Sequence, residues 1–199
     1  MSSASSRSSR PDPLAQAIAD AARSVLLAAS ALGTEQAPVV LIDGRSGAGK
    51  SSLANVLVRT WPGADAPQLL ALDSVYPGWE GLREGVDLVL RDVLVPRARG
   101  DDAQWRRYDW EIGAYAEAHT VEADRPLIVE GVGILTSESA RLSDIRLWLE
   151  APDDSRRNRA LDRDGDLFRP HWERWARQEE RHIARHDPRA LATIEQRMP

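Results

Sequence analysis

The 199 residues include 26 basic and 31 acidic side chains, a formal net charge of −5, and no cysteine. This acidic balance argues against a protein that binds nucleic acid by neutralising phosphates. The absence of cysteine excludes disulfides, thiolate nucleophiles and cysteine-based zinc sites. The length suits a single domain, and no apolar run approaches the roughly 18 residues that a membrane span needs.

Residues 1–11 are rich in serine and arginine without an apolar stretch, so they predict a disordered tail rather than a secretory signal. A transit peptide is the alternative, but the arginine-rich composition with almost no lysine favours a bacterial, cytoplasmic protein. Residues 12–199 are expected to form one domain. It begins with a helix that Asp12 and Pro13 start and Gly33 ends.

A strand, a glycine-rich loop and a helix are predicted in direct succession over residues 39–59. The loop, residues 44–51, reads GRSGAGKS and fits the pattern G-x-x-x-x-G-K-[ST]. In this order, backbone N–H groups and the positive end of the helix dipole converge on an anion, whereas an ordinary glycine-serine turn would not need the flanking elements. Lys50 can then reach the outer phosphates, and the Ser51 hydroxyl can ligate Mg²⁺.

The residues expected to bind the nucleotide phosphates form one continuous segment. They are Gly44, Arg45, Ser46, Gly47, Ala48, Gly49, Lys50, Ser51 and Ser52. Lys50 is the only lysine of the chain, so a sequence that otherwise uses arginine keeps a compact ammonium where a phosphate loop requires one.

Acidic residues close two of the predicted strands that follow. The strand 68–72 is followed by Asp73, and the strand 127–131 contains Glu130. Because the carboxyl ends of parallel strands border the ligand crevice of an open α/β sheet, both side chains are candidates for the site. Glu130 is expected to meet a metal ion or its bound water, whereas Asp73 could instead cap a loop.

Between these strands, a helix is predicted over residues 82–94, with Pro96 at its end and residues 97–102 as a solvated loop. Residues 105–110, WRRYDW, combine aromatic and charged side chains. Such a cluster either lines a small-molecule pocket or braces a loop. A further strand is predicted over residues 145–149.

Strands that alternate with helices predict an α/β fold. The expected architecture is a three-layer, doubly wound parallel sheet of about five strands with a helical lid. The final strand is the least defined, and residues 190–194 are its candidate.

Arg156, Arg159 and Arg163 share one face of a predicted helix over residues 153–164. Three guanidinium groups on one face could clamp phosphoryl oxygens, and a solvated arginine face is the alternative. After a loop that Gly165 opens, a second helix is predicted as part of the lid.

Together these motifs resemble the uridine kinase group of P-loop small-molecule kinases over most of residues 38–164. The resemblance rests on the glycine-rich loop, on LDSVY at residues 72–76 in place of a D-S-x-Y motif, on IVEG at residues 128–131, on Tyr108-Asp109 in the acceptor region, and on the lid arginines. It implies a single P-loop kinase domain that uses ATP and Mg²⁺.

The resemblance also implies roles for individual residues. Asp73 is expected to be the base that accepts the proton of the acceptor hydroxyl, while Tyr76 and Tyr108 line the acceptor site. The arginines contact phosphates as a lid at approximately residues 154–185 closes. The expected sets are Lys50, Asp73, Arg159 and Arg163 for catalysis, Arg156 for a further phosphate contact, Asp73, Tyr76, Tyr108, Glu130 and Arg169 for the substrate, and Ser51 and Glu130 for the metal.

The sequence therefore predicts an ATP- and Mg²⁺-dependent phosphotransferase that moves the γ-phosphoryl group to a hydroxyl of a small metabolite, with a nucleoside as the expected acceptor. The alternative is a regulatory P-loop ATPase without a small-molecule acceptor. A GTPase is disfavoured because its N-K-x-D motif would need a second lysine. Neither nucleic acid nor a membrane is an expected partner, and a homo-oligomer is possible.

Overall fold

The computed structural model describes residues 12–33, 37–63 and 65–199, and the predicted tail lies outside these ranges. In chain order the elements are α1 (Pro13–Ala31), β1 (Val39–Gly44), α2 (Lys50–Thr60), β2 (Gln68–Ala71), α3 (Leu82–Val89), α4 (Val95–Arg97), β3 (Ala103–Asp109), β4 (Ala114–Val121), β5 (Leu127–Glu130), α5 (Ser137–Ala140), β6 (Ile145–Glu150), α6 (Asp153–Phe168), α7 (Trp172–His186), α8 (Pro188–Leu191) and β7 (Ile194–Arg197). A π-helical turn (Leu90–Leu94) joins α3 to α4, and 3₁₀ turns occupy Leu72–Ser74 and Arg169–His171. None of the described helices is long and apolar enough to span a membrane.

The central sheet contains five parallel strands in the order β2-β5-β1-β6-β7. Alternate residues of β1 point to opposite faces: Val39 and Leu41 pack in the layer of α3 and α7, whereas Val40 and Ile42 pack in the layer of α1 and α2. Every residue of β1 is buried because helices cover both faces. The predicted three-layer, doubly wound parallel sheet is confirmed.

The last strand lies later in the chain than the sequence predicts. Asp187 has φ 43° and its side chain accepts a hydrogen bond from the Ala190 N–H, so it caps the short helix α8. β7 therefore begins only at Ile194, which pairs with Leu147 of β6. The prediction of a strand at residues 190–194 placed its start too early, because a proline after an aspartate starts a helical turn.

The prediction of a solvated loop at residues 97–102 is wrong for its first residue. Arg97 is 6% exposed. Its guanidinium donates hydrogen bonds to the carbonyl oxygens of Ala37, Glu122 and Arg125, and burial lowers its pKa. An arginine that is satisfied by backbone carbonyls from distant segments leaves no local signal in the sequence.

β3 and β4 form an antiparallel hairpin that the sequence does not predict. Ala103 and Val121 pair at its base and are its buried residues, while the rest of both strands is half-buried or exposed. The period-2 alternation of a strand is therefore weak.

Pro96, which is predicted to end a helix, instead lies inside α4. The helix starts again after the π-helical turn, and a proline in the first turn of a helix needs no N–H donor.

The helices α6 and α7 correspond to the predicted lid. α6 has non-helical backbone angles at Gly165, φ 54° and ψ −132°, where the sequence predicts a loop, and it continues to Phe168. Trp175, Glu179 and His182 of α7 are buried. In this structure α7 is packed on the body of the protein, and movement of a lid stays a prediction.

Candidate active site

The glycine-rich loop connects β1 to α2 and packs tightly against neighbouring elements. A Cβ atom at Gly44 would lie 2.5 Å from the carbonyl oxygen of Leu149 in β6, and one at Gly47 would collide with the carbonyl group of Arg156 in α6. A Cβ atom at Gly49 would meet no neighbour, but Gly49 has φ +99° at the start of α2. Close packing therefore requires two of these glycines, and backbone conformation requires the third.

Lys50 and Ser51 begin α2 and face the acidic end of β5. Lys50 is 8% exposed, and its Nζ donates to the carbonyl oxygen of Arg45 at 3.2 Å. Ser51 Oγ donates to Glu130 Oε1 at 2.9 Å. Burial raises the pKa of Glu130 and the charge of Asp73 adds to this rise, whereas Lys50 and the Ser51 hydrogen bond oppose it. The helix thus starts with a buried ammonium next to a hydroxyl–carboxylate pair.

A cavity of about 300 Å³, here called the phosphate-loop cavity, opens at this end of the sheet. Its polar lining includes Ser46, Lys50, Ser51, Asp73, Glu130 and Arg163. Its aromatic lining consists of Tyr76, Trp79, Trp110, Phe168 and Trp175. Because β2, β5 and β1 are adjacent and parallel, the fold brings both predicted carboxylates to the cavity of the loop.

The rings of Trp79, Trp110 and Phe168 form an aromatic wall on one side of this cavity. Trp79 stacks on Phe168 with ring centroids 5.4 Å apart and lies 4.8 Å from Trp110. Trp110 Nε1 also donates to the carbonyl oxygen of Asp73 at 2.8 Å, which ties the hairpin to the segment after β2. The two interpretations of the cluster at residues 105–110 thus apply together, since Trp110 both lines a pocket and braces a loop.

The other predicted substrate contacts lie in different surroundings. Tyr76 lines the cavity with its ring, but its buried hydroxyl donates to the carbonyl oxygen of Val132 at 2.7 Å. Tyr108 contacts Trp110 edge to face, with ring centroids 5.6 Å apart. Arg169 lies in the 3₁₀ turn between α6 and α7. Neither Tyr108 nor Arg169 is among the described lining residues, so contact with a substrate stays a prediction for both.

Curated relatives match part of the chain, and no family model matches it. Cytidylate kinases from Pectobacterium atrosepticum and Photobacterium profundum are each 33% identical to it, over 117 and 115 residues. These matches cover 57% and 55% of this chain but only 48% and 46% of the relatives. The chain therefore spans about half the length of the curated relatives it matches.

Solved structures match over nearly the whole chain. A possible uridine kinase from Bacillus stearothermophilus aligns with a TM-score of 0.65 at 20% identity, and a candidate fructose transport system kinase from Silicibacter sp. TM1040 aligns with 0.58 at 17%. Both alignments cover 92% of this chain and 98% of the other. This chain has the P-loop kinase fold. The resemblance predicted from the sequence motifs is confirmed at the level of the fold.

Within this P-loop kinase fold, α6 presents its arginines to the back of the phosphate loop. Arg156 is 2% exposed and donates to the carbonyl oxygen of Ser46 at 3.1 Å. Arg159 donates to the carbonyl oxygen of Gly47 at 2.8 Å. Arg163 lines the cavity. The shared face of α6 therefore brings one arginine to the cavity and two to the loop carbonyls, and phosphate contact by these arginines stays a prediction.

Sequence reasoning misses Glu179 of α7, which holds the start of the loop. Its carboxylate accepts hydrogen bonds from Ser46 N and from Arg45 Nε, both at 2.8 Å. Burial alone would lower the pKa of Arg45, but Glu179, with smaller contributions from Asp153 and Glu180, outweighs this effect and raises it. A signal does exist: Glu179 follows Trp175 by four residues and precedes His182 by three, so it lies on the buried face of its helix, where a carboxylate needs a partner.

Asp43 at the end of β1 is a second residue that the sequence analysis misses. Its fully buried carboxylate accepts hydrogen bonds from the backbone N–H groups of Gly44 at 2.7 Å, Gly133 at 2.9 Å and Leu135 at 2.8 Å. These charge-assisted bonds fix the first residue of the loop relative to the segment after β5.

Proposed function

We propose that this protein is an ATP- and Mg²⁺-dependent phosphotransferase that moves the γ-phosphoryl group of ATP to a hydroxyl of a small metabolite, with a nucleoside as the expected acceptor. One observation carries the proposal: Lys50 of the phosphate loop, the Asp73 carboxylate and the aromatic wall share one cavity. A regulatory ATPase needs the loop alone. The acceptor side of the cavity therefore favours a kinase.

The residues around the loop fit a nucleotide and a metal ion. Lys50 is a nearly buried cation at the cavity, and phosphate oxygens would satisfy the donors of its ammonium group. The Ser51 hydroxyl and the Glu130 carboxylate are the hard oxygen ligands that Mg²⁺ prefers, with Glu130 acting through water. When bound, Mg²⁺ would neutralise charge on the transferred phosphoryl group. Arg163 lines the same cavity and adds positive charge.

Asp73 is the proposed base on the acceptor side. It is exposed after β2, and Trp110 holds its backbone carbonyl, so its carboxylate can accept the proton of an acceptor hydroxyl. Phosphoryl transfer depends mainly on positioning and electrostatics. The aromatic wall would position a flat acceptor such as a nucleobase by stacking, and it would exclude water that otherwise hydrolyses ATP.

ATP consumption over a panel of nucleosides, vitamins and sugar derivatives, with and without Mg²⁺, tests this proposal. We expect one acceptor class to stimulate turnover, and we expect Asp73→Asn to lower the stimulated rate by about 100-fold or more. Asp101→Asn, at an exposed carboxylate before the hairpin, is the matched control.

Slow hydrolysis that no acceptor stimulates would support the regulatory ATPase instead. Acceptor phosphorylation that survives Asp73→Asn would show that another group, or none, accepts the proton.

A further inference from the structure

A second cavity, here called the α3–α7 cavity, lies between α3 and α7 and has a volume of about 540 Å³. Small-molecule sites commonly have volumes of roughly 300–1,000 Å³. Its lining includes the apolar side chains of Leu82, Val86 and Leu90. Among the described residues, it shares no lining residue with the phosphate-loop cavity. The proposed phosphotransfer has no use for this space.

The acidic side chains at the rim of the α3–α7 cavity already have partners. Asp87 pairs with Arg83 at 3.5 Å, and Glu80 pairs with Arg174 at 3.1 Å. The Glu138 carboxylate is hydrogen-bonded to its own backbone and to the side chain of Thr136, which lowers its pKa. These acids are therefore less available to bind a cation.

The arginines on the α7 side of the rim differ from these acids. Arg181 and Arg185 are exposed, follow one another by one helical turn, and line the cavity. Neither makes a hydrogen bond or an ion pair with any residue that the structure describes. Burial lowers the pKa of the adjacent His186, and His182 and Arg185 lower it further. The rim therefore offers unpaired positive charge next to an apolar floor.

The same helix connects this cavity to the phosphate loop. His182 lines the α3–α7 cavity, and its buried Nε2, which has no hydrogen-bond partner among the described groups, lies 3.5 Å from Asp43 Oδ2. Asp43 in turn accepts a hydrogen bond from the first N–H of the loop, at Gly44. Glu179, one turn before His182, accepts from Ser46 N. A small shift of α7 would therefore act on the loop at two places.

We propose that the α3–α7 cavity binds a small organic anion with an apolar body, and that its occupancy changes the affinity of the phosphate loop for nucleotide through α7. The acidic group of the ligand faces Arg181 and Arg185, whose planar guanidinium groups suit phosphate, sulfonate or carboxylate oxygens. The apolar body covers Leu82, Val86 and Leu90. The coupling is reciprocal, so nucleotide changes the affinity for the anion by the same factor.

The fluorescent probe 8-anilinonaphthalene-1-sulfonate, which joins a sulfonate to aromatic rings, tests the site on the full chain. We expect the double variant Arg181→Glu/Arg185→Glu to weaken probe binding by about tenfold or more. The double variant Arg157→Glu/Arg177→Glu makes the same charge change at exposed arginines outside the cavity and should leave binding unchanged. Both variants should keep the melting temperature of the parent chain. Equal loss of binding in both variants, or no loss in either, overturns the site.

Competition identifies the source of the natural anion. Displacement of the probe by uridine monophosphate supports a phosphorylated metabolite, and displacement by octanoate supports an aliphatic carboxylate. Either result must disappear in Arg181→Glu/Arg185→Glu. Failure of both compounds to displace the probe overturns the proposed ligand class.

Calorimetric titration of ATP with and without saturating probe tests the coupling. We expect the dissociation constant for ATP to change by about threefold or more, and the probe affinity to change by the same factor when ATP is saturating. No change overturns the regulatory role. A mutual effect that persists in Arg181→Glu/Arg185→Glu is direct competition at the phosphate-loop cavity and also overturns it. Probe binding requires no phosphoryl transfer, so its failure is distinguishable from failure of the proposed kinase function.

Discussion

The two faces of the phosphate loop are held in different ways. On the front face, Lys50 and Ser51 border a cavity where their polar groups can meet a ligand. On the back face, Arg156 and Arg159 bind loop carbonyl groups and Glu179 binds a loop N–H. The back face thus has its backbone groups satisfied before any ligand binds. This difference indicates that α6 and α7 shape the loop in advance, which lowers the cost of ordering it on binding.

Lys50→Ala breaks the front face alone and should have the largest effect on turnover. We expect acceptor-stimulated turnover to fall by about 10²–10³-fold, the range found when one group that stabilises transition-state charge is removed. The melting temperature should change little, because the hydrogen bond from Nζ to the Arg45 carbonyl, at 3.2 Å, lies at the upper end of the normal range. Steady-state kinetics and thermal unfolding measure the two effects. Arg59→Ala, at an exposed position of α2, is the control, and a large loss of melting temperature in Lys50→Ala would contradict this division of roles.

Gly47→Ala breaks the back face. The new Cβ atom would meet the carbonyl group of Arg156, and the residue would have to keep φ +77°. We expect the free energy of unfolding to fall by about 1–3 kcal/mol from backbone strain, with more from the collision. Gly100→Ala measures the backbone strain alone, because Gly100 has a similar φ of +84° and no neighbour within 4 Å, so the difference between the two variants gives the cost of the collision. If urea denaturation gave the same loss of unfolding free energy for Gly47→Ala and Gly100→Ala, α6 would not pack closely against the loop.

Glu179→Ala tests the contact from α7 to the same face. It would leave the buried Ser46 N–H without its acceptor and Arg45 without its partner, which should lower the free energy of unfolding by about 1–3 kcal/mol. Glu179→Gln keeps an acceptor for Ser46 N, so it should lower the free energy of unfolding by less than Glu179→Ala. Chemical denaturation and ATP titration measure stability and nucleotide affinity.

The neighbouring Glu180 provides the control for this contact. It is exposed and lies 3.7 Å from the Arg45 guanidinium, where a surface ion pair contributes about 0–1 kcal/mol. If Glu180→Ala lost as much stability as Glu179→Ala, the burial of Glu179 would have no special importance.

The sheet could be predicted because its signals are local. In β1 a continuous apolar run leads directly into a glycine-rich loop and a helix, and each of these signals lies within a few residues. The hairpin β3–β4 could not be predicted, because only Ala103 and Val121 are buried in it and the alternation of its other side chains between the two faces is weak. Arg97 is buried against three carbonyl groups from two distant segments. No window of sequence contains that information.

The candidate site likewise has one part that the sequence predicts and one part that it does not. Asp73 and Glu130 could be placed at the cavity because the carboxyl ends of parallel strands meet at one edge of the sheet. The contacts of the arginines on α6 could not be predicted, since a shared helical face does not reveal whether Arg156 contacts a ligand or a loop carbonyl. Helix periodicity gives a face, and tertiary packing decides what that face contacts.

Trp110→Phe should have the smallest effect, and it tests whether the front face depends on the hairpin as well as on the loop. Phenylalanine keeps an aromatic ring in the cavity but removes the hydrogen bond from Nε1 to the carbonyl oxygen of Asp73, which should lower the free energy of unfolding by about 0.5–1.5 kcal/mol. Because that bond holds the segment that carries the proposed base, KM for the acceptor should rise a few-fold while KM for ATP stays constant. Trp105→Phe is the control, since Trp105 stacks on His119 away from the phosphate-loop cavity. Equal kinetics in the two variants would mean that Asp73 is positioned by its own turn, and that the front face is built from the parallel sheet alone.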